Sequence, residues 1–162
     1  LDTSAGPNSS KPDHAGVKVP PPLVFLVALL IGLWWDSPWL SGGSVAAVPT
    51  MIGAIIALSG AGLIVVAALG HRRAGTNLEP WHPTTAIIDT SVYGFSRNPI
   101  YLGMAVVQFG IAISAGSLGA LIMIVPAVLF IQFYVIAREE RYLEAKFGAA
   151  YTDYKNRVRP WF

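Results

Sequence analysis

The chain has 162 residues, 54% of them hydrophobic and only 12% charged, with a mean hydropathy of +0.55. A soluble domain carries roughly 25% charged residues, so the composition excludes an ordinary soluble globule and points to an integral membrane protein. The absence of cysteine removes a disulfide framework, a thiolate nucleophile and a cysteine metal site, and no metal site of any other kind is expected.

Residues 1–16 form a polar tail, expected to be disordered or an added segment, and residues 17–162 a single domain. The first apolar run extends from about Pro20 through LVFLVALLIGLWW to Leu40, interrupted by Asp36 and closed by Trp34, Trp35 and Trp39 in the manner of an interfacial aromatic belt. Polar residues precede it and no small-residue cleavage pattern follows, so a span is expected here and not a secretory signal. A second run, Val45 to Leu69, is long enough to cross with tilt. A third begins at Ile100 and ends near Ser114. The turn signal SAGSLG separates it from a fourth, Leu118 to Ala137.

Four crossings place the charges on one side. The 11 Lys and Arg residues fall before the first run, between the second and third, and after the fourth. The other two connections contain none. The positive-inside rule makes the basic side cytoplasmic. The fold class expected is therefore an all-α integral membrane protein with about four transmembrane helices, a cytoplasmic C-terminal amphipathic helix and an ordered cytoplasmic loop. The membrane expected is a bacterial or archaeal inner membrane. The loop, residues 70–99, is longer than a bundle connection requires. Its apolar residues, Trp81, Ile87, Ile88, Val92, Tyr93 and Phe95, argue for order. After the fourth run, Leu143, Phe147, Ala150, Tyr151 and Tyr154 recur at helical spacing, with Gly148 as a weak point. Gly53, Ala57 and Ala61 on the second run, with Gly103 and Gly110 on the third, read as close-packing faces. Gln108 and Gln132 are expected to hydrogen-bond across the bundle.

Three blocks, AGTNLEP, SVYGFSRNPIYLG and REERYLEAKFGAAYTDYKNRVRPWF, resemble the signatures of the isoprenylcysteine carboxyl methyltransferase family and its phospholipid methyltransferase relatives. The resemblance covers Arg73 to about Val158, with the blocks in the same order around an apolar hairpin. It implies S-adenosylmethionine as cofactor and a cytoplasmic site closed over by the loop and the C-terminal helix. It also implies a lipophilic acceptor, a prenyl-type carboxylate or a lipid amine. Matching positions are Thr76, Asn77, Tyr93, Arg97, Asn98, Pro99, Tyr101, Gly103, Glu139 and Glu140 for the cofactor, and Arg138, Glu139 and Glu140 for catalysis. Two residues depart from the pattern. Asn98 stands where eukaryotic prenylcysteine enzymes have His, a form common among bacterial members, and Ser91 stands where the family usually has Gly.

The residues themselves are compatible with this chemistry. Pro99 suits the first turn of a helix, whose free N–H groups beside Arg97 would attract a carboxylate. A boundary arginine snorkelling to lipid phosphates is the plain alternative. Glu139 and Glu140 would accept from ribose hydroxyls or hold an ammonium. Within REER they would equally form weak local ion pairs. Arg138 would orient an anionic acceptor or snorkel. His82 lacks partners at metal-ligand spacing. A reductase of lipid double bonds, resembling this family in its C-terminal blocks and using a nicotinamide cofactor, and a non-enzymatic membrane scaffold are the other readings. Membrane lipids are expected partners and nucleic acid is not.

Overall fold

The structure, a computed structural model, describes residues 13–36, 50–77 and 82–162. Among these residues there are five α-helices and no strands: α1 (Pro21–Trp35), α2 (Thr50–Ala74), α3 (Pro99–Ala115), α4 (Leu118–Phe147) and α5 (Ala149–Arg157), with a 3₁₀ turn at Ser91–Gly94. The 25 residues of α2 and the 30 of α4 are long and apolar enough to cross a membrane. The 15 of α1 and 17 of α3 reach about 22 and 25 Å at 1.5 Å per residue, short of a hydrocarbon core of about 30 Å. Apolar side chains point outward: Met51 is 76% exposed, Leu58 72% and Phe133 72%. That surface is the wrong way round for water and the right way round for lipid.

The helix ends explain themselves chemically. Pro21 and Pro99 each open a helix at a position that needs no N–H. Gly116 closes α3 at φ 62°, and the N–H of Ser117 donates to the carbonyl of Ala112 at 2.9 Å, the reversal that satisfies a helix C-terminus. Ser117 then caps α4, its Oγ accepting from the N–H of Ala120 at 3.0 Å. Asp36, which interrupts the first apolar run, is a second cap for the same helix. Its Oδ2 accepts from Ser117 Oγ at 2.6 Å and from the N–H of Gly119 at 2.7 Å. Within α4 the regular helix breaks at Met123, because Pro126 offers no N–H to the carbonyl of Ile122 and its ring crowds that carbonyl. Further along, Ile131–Ile136 is π-helical.

Glycine sets the helix pairing. A Cβ on Gly53 would lie 2.5 Å from the carbonyl oxygen of Gly110, and one on Gly60 would lie 2.7 Å from that of Gly103. The two pairs fix an antiparallel register for α2 and α3 at backbone contact. Gly60 fills the place expected of Ala61, which faces outward. On the other side Gly32 of α1 meets Gly119 and Ala120 of α4. Helix α3 also touches α1 and α4. The core joins Val17, Phe25, Tyr101, Ile131, Val135 and Ile136.

One end of the bundle holds Asp36, Thr50 and Ser114–Gly119. The opposite end gathers residues 13–18, the end of α2, the 82–98 segment, the last turns of α4, and α5. Every described Lys and Arg lies at this second, polar end. At about 45 Å, α4 exceeds the hydrocarbon by some ten residues, so its part from Arg138 onward projects beyond the membrane.

Several boundaries differ from expectation. The first helix stops at Trp35, with Trp39 and residues 37–49 outside the described residues, as is Trp81. Helix α2 continues past Leu69 to Ala74, shortening the loop. Gln108 and Gln132 do not meet: Gln108 donates to the carbonyl of Ala120 at 3.3 Å, and Gln132 accepts from Trp161 Nε1 at 2.7 Å. Gly148, at φ 55°, divides the C-terminal segment into two helices. The turn resets the helical register, so Ala150 is exposed, while Tyr151 and Tyr154 are buried with Val158 against Leu143, Phe147 and Ile87.

Candidate functional site

Arg97, two residues before α3, points across the polar end toward α4 and α5. Its Nη2 donates to Glu140 Oε1 at 2.5 Å, 43 residues away in the chain. Its Nη1 donates to the carbonyls of Lys155 at 2.8 Å and Val158 at 2.6 Å, while its backbone N–H donates to the carbonyl of Arg159 at 3.0 Å. The guanidinium thus takes up carbonyls that the end of α5 leaves without helical partners. Asn98 Nδ2 and Ser96 Oγ both donate to the carbonyl of Pro160, at 3.0 and 3.2 Å. Glu140 also meets Lys155 Nζ at 3.2 Å. These polar residues at the doorstep of α3 fasten the C-terminal segment.

Glu139 is differently placed. Its Oε1 accepts from Tyr101 OH at 2.7 Å, the one hydrogen bond it makes among the described residues. Burial pushes its carboxyl up to about 7, opposed by the Tyr101 hydrogen bond and reinforced by the neighbouring Glu140 charge. The side chain is half-buried by accessible surface. The packing around its carboxyl is what raises it.

Around these groups lies a cavity of about 120 Å³. It is lined by Arg97, Asn98, Pro99 and Tyr101 of the α3 doorstep, Glu139, Glu140, Tyr142 and Leu143 of α4, and Tyr151 and Tyr154 of α5. Ile87, Ile88 and Tyr93 of the loop, with Asn77 and His71, complete the walls. The arrangement follows from sequence. The hairpin of α3 and α4 brings its two polar ends together, and residues 139, 140, 142 and 143 share one helical face. Tyr93 OH pairs with His71 Nδ1 at 3.0 Å, and Tyr154 OH donates to the carbonyl of Tyr93 at 2.8 Å. Burial pushes the Tyr93, Tyr151 and Tyr154 phenols up, so all three remain protonated donors.

Three expected site residues are not among those lining the cavity. Gly103 is held in the α2–α3 contact, where a Cβ would lie 2.6 Å from Ile64 Cγ1. Its role there is packing. Thr76 Oγ1 accepts from the N–H of Thr85 at 2.9 Å and shapes the loop from behind. Arg138 lies over the Tyr134 ring at 3.8 Å and donates to the carbonyl of Tyr134. A cation–π contact one turn back along its own helix turns it away from Glu139.

Tyr142 carries no motif or spacing that marks it in the sequence. Its OH meets the N–H of Thr84 at 3.2 Å, Asp13 Oδ1 at 2.9 Å and Lys146 Nζ at 3.0 Å. It thereby ties the loop, the N-terminal segment and α4 together. Ala15 lines the cavity as well, although residues 1–16 offered no signal of it. His71 is placed by the extra turns of α2.

Ser91, where the related family usually has Gly, is the one described non-glycine residue at positive φ, 58°. The left-handed region favours glycine because it has no Cβ, which gives the family's preference its physical cause.

Residues 48–150 match the phospholipid methyltransferase family. The chain is also similar to an uncharacterized protein of Haemophilus influenzae, 37% identical over 62 residues that make up 38% of this chain and 98% of that protein. No solved structure matches. With well over half of its length matched, and with the apolar helices and the polar-end cavity in place, the chain belongs to the phospholipid methyltransferase family of membrane proteins.

Proposed function

We propose that this protein transfers a methyl group from S-adenosylmethionine to a lipophilic acceptor, a prenyl-type carboxylate or a lipid amine, at the cytoplasmic face of a membrane that it crosses four times. The observation that carries the reading is the convergence of residues 97–101 with residues 139–143 on one cavity, at the end where the basic residues gather.

The side chains there fit the cofactor's chemistry. Glu139 has acceptor capacity left for an ammonium or ribose hydroxyls, because only Tyr101 occupies it among the described residues. Ile87, Ile88 and Leu143 give an apolar slot, and Tyr93 and Tyr151 give aromatic walls. Arg97 keeps one buried donor, Nε, without a partner among the described residues. This is the orphaned group that a bound oxyanion would satisfy. When bound, S-adenosylmethionine supplies an electrophilic methyl group on a sulfonium. Tyr101 orients the Glu139 carboxylate, Arg97 and Glu140 hold α5 in place as a wall, and the loop and α5 keep water from the reacting atoms. Alignment and exclusion of water are the main contributions that protein residues make to an in-line displacement.

Calorimetry of the full chain in detergent with S-adenosylhomocysteine and with NADPH tests the reading. Tighter binding of S-adenosylhomocysteine is expected, and preference for NADPH overturns it in favour of a reductase. Mass spectrometry of lipids labelled from a methyl-deuterated cofactor identifies the acceptor. The absence of any labelled lipid, despite cofactor binding, removes the lipophilic acceptor.

A further inference from the structure

Behind the loop lies a second recess, of about 500 Å³, formed by the last turns of α2 and residues 87–93. Three residues, Ile87, Ile88 and Tyr93, line both this recess and the cavity at Glu139. They make a partition one layer thick.

The recess opens on the outer side of α2, the helix that packs along α3 and the 91–94 turn. An apolar stripe leads to it along this side. Leu58 is 72% exposed, Val65 56% and Leu69 41%, at spacings of seven and four that keep them on one face. Between them Gly62 has no atom of the described residues within 4 Å of where a Cβ would stand, so none of these residues obstructs the path. The rise from Leu58 to Leu69, 11 steps along the helix, is about 16 Å, the hydrocarbon depth of one leaflet when the whole core is about 30 Å. At the upper end of the path, lining the recess, is Arg73. It is exposed and has no ion pair among the described residues, whereas nearby Asp89 is paired with Arg157 at 3.2 Å. A chain-length apolar path that ends at a cation with no ion pair among the described residues is complementary to one molecule of the polar-end leaflet, a lipid whose headgroup carries a net negative charge.

We propose that this recess is where the lipid acceptor docks, its chain along Leu58–Leu69 and its headgroup oxyanion at Arg73, with Ile87, Ile88 and Tyr93 as the wall separating it from the methyl donor. The acceptor role rests on the methyl-transfer reading, and the lipid site itself does not. The acceptor reaches the partition from the bilayer while the soluble cofactor reaches it from the aqueous side. Movement of Ile87 and Ile88 then brings the two together.

The full chain is placed in vesicles of phosphatidylcholine and phosphatidylglycerol at a 3:1 ratio, with a photoreactive benzoylphenylalanine replacing Leu69 or, as control, Ile52 near the far end of α2. The Leu69 position is expected to capture phosphatidylglycerol at least fivefold above its share of the vesicle. Arg73→Gln returns that ratio to the bulk value, and the Ile52 position gives the bulk value throughout. Val66→Trp, which fills the recess, raises the KM for the lipid acceptor at least tenfold while S-adenosylhomocysteine binds as in wild type. Ala74→Trp fills it from another wall, should the first variant fail to fold. Capture at the bulk ratio, capture of a second copy of the chain, or an unchanged acceptor KM overturns the proposal. Failure to bind S-adenosylhomocysteine overturns the methyl-transfer reading and the acceptor role with it, while the capture ratio still decides whether the recess selects an anionic lipid.

Discussion

Arg97→Ala separates the cofactor role that the sequence suggests for this residue from the hold on α5 that the structure gives it. In the structure the guanidinium is 7% exposed and its partner Glu140 17%. Removing one member of a buried pair costs about 3–5 kcal/mol where nothing else compensates the remaining charge; Lys155 Nζ, 3.2 Å from Glu140, keeps the cost here to the lower figure. The carbonyls of Lys155 and Val158 lose their donor in the same step. The lower figure alone corresponds to a factor of more than 10² in an opening equilibrium. Amide hydrogen exchange in α5, read by mass spectrometry on the full chain in detergent, should therefore accelerate by on the order of 10²-fold or more. Glu139→Gln is the contrast. Its amide oxygen still accepts from Tyr101, and a charge that burial disfavours is gone, so exchange in α5 should not accelerate. Affinity for S-adenosylhomocysteine should nonetheless fall by roughly ten to a hundredfold, the loss expected when a charge-assisted hydrogen bond of about 1.5–3 kcal/mol is removed. Unchanged exchange in Arg97→Ala, with cofactor affinity lost, would show that Arg97 holds ligand and does not pin α5.

Further expectations concern other parts of the chain. The Glu139 carboxyl, raised to about 7 by burial, takes up a proton as pH falls through that value. Cofactor affinity by calorimetry should thus drop roughly tenfold from pH 8 to pH 6, and Glu139→Gln should flatten the profile. Gly60→Val drives a side chain into the backbone of α3, 2.7 Å from the carbonyl oxygen of Gly103, and should destabilise by about 1–3 kcal/mol or more in thermal unfolding. Ser91→Gly relieves the positive φ and should stabilise by about 1 kcal/mol. A lower unfolding temperature would show that the Ser91 side chain has a role of its own. Single cysteines at Ser41, Thr76 and Thr152 of this cysteine-free chain report sidedness. Thr76→Cys and Thr152→Cys should label from one side and Ser41→Cys from the other, and labelling of Ser41→Cys with the rest removes the four-crossing arrangement.

Hydropathy located the apolar helices because lipid tolerates little else, and the glycine spacing located the α2–α3 contact to within one residue. The hairpin of α3 and α4 made it legible that Arg97 would approach the two glutamates. Which glutamate it would meet was not legible. The π-helical stretch Ile131–Ile136 offsets the helical register just before Glu139, and counting at 3.6 residues per turn cannot see an inserted residue. That Arg138 lies over the Tyr134 ring was not legible for a related reason, since the contact follows only from the direction of both side chains. Periodicity carries through Gly148 and puts Ala150 on the C-terminal stripe, whereas the backbone at φ 55° breaks the register there. The largest omission was the N-terminal tail. Asp13 is held by Lys146 Nζ at 2.6 Å and Ala15 lines the cavity, contacts across more than a hundred residues that no local pattern encodes.

The placement of hydrogen-bonding groups at the start of a membrane helix follows from the weakness of what they hold. With nine residues, α5 is too short to persist alone in water, where isolated helices below about 12–15 residues are marginal. Yet Tyr151 and Tyr154 of α5 form a wall of the cavity. The wall exists only while its own C-terminal carbonyls and the tail beyond them are held. Ser96, Arg97 and Asn98 supply donors for this, to the carbonyls of Lys155, Val158, Arg159 and Pro160. A hydrogen bond is electrostatically stronger where water is scarce, and an unpaired donor there is correspondingly costly. The membrane boundary is thus the place where three polar residues hold a short helix most firmly. Because they act on one segment, their contributions are coupled: a double variant such as Arg97→Ala with Asn98→Ala should open α5 by less than the sum of the single effects.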